Sequence, residues 1–240
     1  MNNPVSQPVS SKTAMPLSDS LVEKLRSVCG GNIVAGVDEV GRGAWAGPVA
    51  VGAVVLPSAA HTPTDDGLNQ FLSMLNDSKK LSVKKRTTIA KMIPEYAIYC
   101  SVGFETADTV NRKGLSYALT SATVQALKGL GVPVDGIVLD GVVNYLSGVE
   151  GFTDLPVLLG ERLDGSCSSV AAASILAKVC RDEHMAELAQ TYPHYGWEKN
   201  KGYFSPQHHA GLTAQGAVLG EHRTSWAWVE KYSNVEKFIP

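Results

Sequence analysis

The sequence predicts an α/β domain built on a mixed sheet with helices on both faces. Three β-branched apolar runs come first, and later strands alternate with long helical segments. At 240 residues the chain is long enough to bury one sizeable core. Its 44% hydrophobic and 18% charged residues are those of an ordinary globular protein.

Residues 1–16 are polar and proline-dotted and read as a disordered leader. Ser18–Ser27 has the spacing of a short amphipathic helix, with Leu21, Leu25 and Val28 on one face. Ile33–Val37, Val49–Leu56 and Ala97–Phe104 read as strands. Between the last two, Ala59–Asn76 reads as a loop-rich insertion, and Ser82–Ile93 as a helix stopped by Pro94. Thr106–Leu127 carries apolar residues at helical spacing up to Gly129. Ile137–Leu139 is a short buried strand ending in Asp140, and Pro156–Leu159 is another. Ser169–Gln190 is the clearest helix. Tyr192–Gly202 reads as a turn region, Pro206–Ala214 as a short helix and Trp226–Tyr232 as a terminal one. These elements suggest a catalytic domain over residues 17–191, with residues 192–240 as a helical appendage beside its active face.

A formal net charge of −2 does not advertise a nucleic-acid binder. It does not exclude a nucleic-acid enzyme either, since such an enzyme needs only a local basic track and its acidic metal ligands lower the total. Cys29, Cys100, Cys167 and Cys180 form no CxxC pair and read as free thiols of a reducing compartment. There is no signal-peptide pattern and no apolar run of bilayer length, so a cytoplasmic protein without a membrane partner is expected. Nothing suggests an oligomer, so a monomer is expected.

Function concentrates in residues 36–48. The apolar run Ile33–Val37 ends in two adjacent acids, Asp38 and Glu39, and Gly41-Arg42-Gly43 follows. Carboxylates ending a buried strand are costly unless neutralised, and a divalent cation is the usual answer. The glycine-bracketed arginine offers close backbone approach and a fixed cation, which suits a phosphate or sugar. The bland alternative is an acid pair capping a turn, with Arg42 bonded to one of them. Asp140 also ends a strand, and Asp164 follows the next one. In open α/β sheets ligands gather beyond the strand ends, so Asp38, Glu39, Asp140 and Asp164 are expected to surround one point. Because successive strand residues face opposite ways, Asp38 and Glu39 share that point only if the chain turns between them. All-oxygen ligands favour Mg²⁺ or Mn²⁺ over zinc, and two such ions suit phosphodiester chemistry.

Phosphate contacts are expected from Lys79 and Lys80 at a loop-to-helix junction, and from Ser174 and Lys178, four apart on one helix face. Arg181 and Asp182 read equally well as an internal salt bridge.

Gly36-Val-Asp-Glu-Val-Gly-Arg-Gly43 with Ala46-Gly-Pro48, Asp77-Ser-Lys-Lys-Leu-Ser82, Leu139-Asp-Gly141, and Asp164 followed by Ala171–Asp182 closely resemble the type 2 ribonuclease H enzymes, ribonuclease HII. Lys201-Gly-Tyr203 and His222-Arg223 extend the resemblance over residues 30–228. It implies a ribonuclease H-like fold with a mixed five-stranded sheet flanked by helices. It implies hydrolysis of the RNA strand of RNA–DNA hybrids, and cleavage on the 5′ side of single ribonucleotides embedded in duplex DNA. The ends left would be 3′-hydroxyl and 5′-phosphate, and the role would be removal of misincorporated ribonucleotides. The family's four metal-binding acids map onto Asp38, Glu39, Asp140 and Asp164. Its readers of the 2′-hydroxyl map onto Gly41, Arg42, Gly43 and Tyr203, and His222 and Arg223 map onto a contact with the DNA strand. The chain departs from the usual pattern at Ala44-Trp45, Arg162, Asn200, Phe204-Ser205 and Trp226. The sister enzyme, ribonuclease HIII, typically has Gly-Thr-Gly in place of Gly-Arg-Gly and a substantial N-terminal domain. A non-catalytic hybrid-binding protein is the alternative from another class, and the intact set of acids speaks against it.

Overall fold

The computed structural model describes residues 17–58 and 66–233. The expected leader, residues 1–16, lies outside them, as does the start of the expected loop insertion. Five strands form one sheet in the order β3-β2-β1-β4-β5: β1 (Val34–Val40), β2 (Val49–Val55), β3 (Tyr99–Glu105), β4 (Gly136–Asp140) and β5 (Val157–Gly160). β2 runs antiparallel to both of its neighbours, β1 and β3, while β4 and β5 run parallel to β1. The sheet is therefore mixed, as the alternation of elements predicts.

Helices cover both faces. α5 (Leu115–Gly129) packs Leu119, Ala122 and Ala126 against Ala35, Val37, Val51, Ala53, Ile137 and Leu139. On the opposite face lie α1 (Ser20–Cys29), α3 (Val83–Tyr96) and the 24-residue α6 (Ser168–Thr191). α6 comes unusually close to the sheet because the facing residues are small. A Cβ on Gly36 would lie 2.4 Å from the backbone carbon of Ser169, and one on Gly52 would lie 2.2 Å from the carbonyl oxygen of Ala173. Ala171, Ala172 and Ala173 complete that seam. Asp19, ahead of α1, caps the start of α6 by accepting from the Ser169 amide at 3.0 Å and its hydroxyl at 3.1 Å. Substituting Gly52 by alanine is expected to destabilise the protein by about 2 kcal/mol, since backbone must move to admit the methyl. A denaturant melt checks this, and an unchanged midpoint would mean that the seam is not tight.

Several expected elements come out differently. The start of the chain forms α1 with Val22 and Leu25 buried, whereas Val28 is exposed. Part of the expected loop insertion is helical, α2 (Asp66–Met74), anchored by the buried Phe71 stacked on Tyr96. Pro94 does not stop α3 but sits in its last turn, where its missing N–H removes only one helical bond. Ser82 caps that helix by accepting from the Lys85 amide. The expected long helix from Thr106 is two, α4 (Ala107–Lys113) and α5, because Gly114 adopts φ +84 between them. Beyond α6 the expected turn region contains a short helix, α7 (Trp197–Asn200), followed by α8 (Pro206–Gln215) and α9 (Ala227–Glu230). These pack through Trp197, Tyr195, Leu212 and Val229 onto Ala46, Met185 and Ala189. No helix among the described residues is long and apolar enough to cross a membrane.

Candidate active site

The central strand β1 and its parallel neighbour β4 run out side by side, with Val37 paired to Leu139. Their next residues on the α6 face are Asp38 and Asp140. β1 does not turn between its two acids, as convergence was expected to require; it continues through Val40. Asp38 lies on the α6 face, bonded to Ser174, and Glu39 lies on the opposite face near Tyr145. They still interact electrostatically, as adjacent residues near the end of the strand. Asp140 accepts from the Leu163 amide at 2.6 Å, which fixes the single helical turn carrying Asp164 beside it. Arg162, just before that turn, holds a left-handed backbone at φ 60, a cost that a tightly determined site absorbs.

The electrostatics show that the four acids share a region. Burial raises the pKa of Asp38 well above the usual carboxylate range, and Glu39, Asp140 and Asp164 push it further. Burial also raises Glu39, opposed by its bond to Arg42 and reinforced by Asp140. Asp164 is raised by burial and then by Asp77 and Asp140. Asp140 thus acts on all three of the others. Among the described residues no three of these groups already stand as a finished metal cage. The donor set nonetheless fits a hard divalent cation: every ligand is an oxygen, the charges repel one another, and Glu39 Oε2 is buried with no hydrogen-bond partner.

Around the acids, Arg42 Nη1 bonds Glu39 Oε1 at 3.0 Å while the guanidinium stays half exposed. Gly41 has φ +94, and a Cβ there would meet Arg181 Nε at 2.4 Å, whereas Gly43 faces open space. The first glycine permits packing and the second leaves backbone free for a ligand. Lys79 and Lys80 are exposed; Lys79 sits close enough to Asp164 to lower its pKa, and Lys80 reaches Asp77 at 3.6 Å. Ser174 and Lys178 do not project side by side to solvent. Ser174 is buried, its hydroxyl lying between Asp38 and the Ser78 hydroxyl 3.1 Å away, while Lys178 bonds Asp182 at 2.7 Å. Arg181 donates to backbone carbonyls of Pro48, Lys201 and Ala46 and forms no salt bridge to Asp182. Tyr203 is half-buried, with Lys178 Nζ 5.8 Å and Arg181 Cζ 5.4 Å from its ring centre.

His222 and Arg223 were expected at the DNA strand, but both are fully buried. Arg223 donates to the carbonyls of Arg42 at 2.7 Å and Gly47 at 3.2 Å. His208 donates from Nδ1 to the Tyr203 carbonyl at 2.9 Å, leaving its Nε2 to accept from Trp197 Nε1 and His222 Nε2. His222 Nδ1 in turn accepts from the Val218 amide. Both imidazoles are thus neutral, and burial pushes the pKa of His222 down to about 3. The reason these two miss the surface is that the 41–48 loop is laced beneath it, with the Trp45 and Ala46 amides donating to the Gly202 carbonyl, the Gly47 amide to Glu221 and the Arg223 amide to Trp45.

The ribonuclease HII family profile matches residues 35–229, a span that includes both strands, all four acids and the buried loop. The chain belongs to the ribonuclease HII family. It is similar to the ribonuclease HII of Streptomyces avermitilis, with 39% identity over 90% of this chain and 85% of that protein. It is 41% identical to the Thermus thermophilus ribonuclease HII over 78% of this chain and 82% of that one. The Pyrococcus horikoshii ribonuclease H2 structure superposes with a TM-score of 0.67 at 25% identity, covering 83% of this chain and 96% of that chain. As a ribonuclease HII, the chain is a ribonuclease H enzyme, an endonuclease of RNA–DNA hybrids.

Three residues of this region are not apparent as site residues from the sequence. Asp77 and Ser78 lay inside a quoted motif but were not singled out from it. Tyr145, whose pKa is raised by burial and by Glu39, lies in a loop without periodic signal. Arg181 reads in the sequence as an internal salt bridge with Asp182, whereas its guanidinium is spent on backbone carbonyls.

Proposed function

We propose that this ribonuclease HII also cuts on the 5′ side of single ribonucleotides embedded in duplex DNA, leaving 3′-hydroxyl and 5′-phosphate ends and so removing misincorporated ribonucleotides in the cytoplasm. The observation that carries the reading is that Asp140 perturbs Asp38, Glu39 and Asp164 alike, beside a backbone turn open at Gly43. Asp38, Glu39, Asp140 and Asp164 would hold two divalent ions, Mg²⁺ or Mn²⁺. Bound there, such ions would lower the pKa of an attacking water and neutralise charge on the leaving oxygen.

The chain's own residues do the rest. Arg42 withdraws part of the charge of Glu39 and offers the exposed half of its guanidinium to a phosphate. The Gly41–Gly43 backbone and the Tyr203 side chain meet the 2′-hydroxyl, which both donates and accepts hydrogen bonds and is absent from DNA. Lys79 and Lys80 flank the Asp164 side and would hold backbone phosphates. Ser174 orients the Asp38 carboxylate from α6, and Lys178 and Arg223 act through neighbouring residues.

A labelled duplex with one ribonucleotide, incubated with Mg²⁺ or Mn²⁺, tests this against an all-DNA duplex and a continuous hybrid. The expected product is a single metal-dependent cut 5′ of the ribonucleotide, with the all-DNA duplex intact. Cutting of the continuous hybrid alone would remove the junction-reading role from Arg42 and Tyr203.

A further inference from the structure

Phe204 is 61% exposed, although a ring of that size gains most by burial. It directly follows Tyr203, and its ring centre lies 4.9 Å from that of Trp45, itself two residues beyond Gly43. The Trp45 amide donates to the Gly202 carbonyl at 2.8 Å, so the two rings ride on the two segments proposed to read the ribose and are tied together by backbone. Trp45 also lies near the buried His208, with ring centres 5.9 Å apart. The two rings thus form an aromatic pair one residue along the chain from Tyr203. The Tyr203 ring itself lies near Lys178 and Arg181.

We propose that Trp45 and Phe204 form a packing platform for the nucleotide adjoining the one read by Tyr203 and the Gly41–Gly43 turn. The inference rests on that reading of the turn and extends the footprint by one nucleotide. The occupant is nucleic acid because every sugar and base presents an apolar face that an aromatic ring can cover whatever the sequence. The platform supplies affinity and not chemistry, since neither ring carries a group that moves a proton.

Phe204→Ala, Phe204→Tyr and the parent enzyme are compared by steady-state cleavage of the duplex carrying one ribonucleotide. The site is exposed, so thermal melting should be unchanged. Phe204→Ala is expected to raise KM about tenfold, the scale of one lost aromatic contact, and to leave kcat within about twofold. Phe204→Tyr keeps the ring and should restore KM to within about twofold of the parent. KM unchanged in Phe204→Ala, or a fall in kcat at constant KM, would overturn the platform, the latter by showing that Phe204 merely supports the loop. If the parent cuts only continuous hybrid, the ribonucleotide-reading proposal fails by itself. The same KM comparison on the hybrid then decides the platform separately.

Discussion

Replacing Asp38 by asparagine is expected to abolish cleavage, by on the order of a thousandfold or more, while raising the thermal stability of the metal-free protein. The two effects share one cause. Asp38 is buried at a strand end, with Glu39, Asp140 and Asp164 all disfavouring its charge. At neutral pH its ionised form therefore costs folding energy, which only an opposing cation relieves. Asparagine keeps the shape and removes the charge. Adding Mn²⁺ should accordingly raise the melting temperature of the parent more than that of the variant. Melting curves with and without metal, beside a cleavage assay, check all three outcomes. Retained cleavage would remove Asp38 from the metal-binding set, and a lower melting temperature would show that its hydrogen bonds outweigh its buried charge.

The pH dependence has the same sign. Asp38, Glu39 and Asp164 all have folded pKa values raised above their unfolded ones. Their protonated forms are favoured by folding, so the stability they contribute is fully present below the unfolded carboxylate range near pH ~4. It is lost as pH rises through their raised values. In the same region cleavage should rise with pH, because the ionised acids are the ones that hold metal. Stability and activity thus oppose each other over one pH interval, as expected where binding requires like charges to be kept together.

That conflict explains what was legible in the sequence. Strand-end acids after apolar runs are visible because a carboxylate in such a place contradicts its surroundings, and Asp38 and Asp140 were found that way. The sheet was legible for a related reason: β1 and β2 are apolar on both faces, which only a covered sheet allows. The convergence of Asp38 with Glu39 was legible, but its route was not. The expected turn rested on strand alternation, whereas β1 continues through Val40 and the two acids interact from its opposite faces. Gly114 and Pro94 were misread because their effect depends on position within a helix. Pro94 falls in a last turn and is tolerated, while Gly114 falls between two helices and divides them. The buried cations were the least legible. Arg223 carries charge, and the default places charge at the surface, while Arg181 reads as half of an ion pair; only the three-dimensional neighbourhood shows carbonyls clustered where a guanidinium can reach them.

Substituting Arg181 by methionine is expected to cost roughly 3–5 kcal/mol of stability and to remove cleavage of both the single-ribonucleotide duplex and the continuous hybrid. The side chain is fully buried and donates to Pro48 O at 2.7 Å, Lys201 O at 2.9 Å and Ala46 O at 3.1 Å. Arg223 completes the arrangement from the other side, on Arg42 O and Gly47 O. Two guanidiniums thus hold carbonyls of the loop from Arg42 to Pro48 and of Lys201, next to Tyr203. Lys201 itself has φ 54, a left-handed backbone that the Arg181 bond helps to keep. Burial lowers both guanidinium pKa values, that of Arg223 to about 9, so each remains charged at neutral pH at a cost in desolvation. Methionine fills most of the space but leaves three carbonyls without their donor, and the loop and the tyrosine turn lose their common tie. Arg181→Lys retains the charge, yet one ammonium on a flexible stem cannot span carbonyls set out for a planar fork. It should fall between parent and methionine in a denaturant melt, and activity measured well below its transition should stay reduced. A lysine variant with parental activity would mean that charge alone is required. Parental stability in the methionine variant would mean that the loop is held by its own backbone bonds to Gly202 and Glu221, without help from the buried cations.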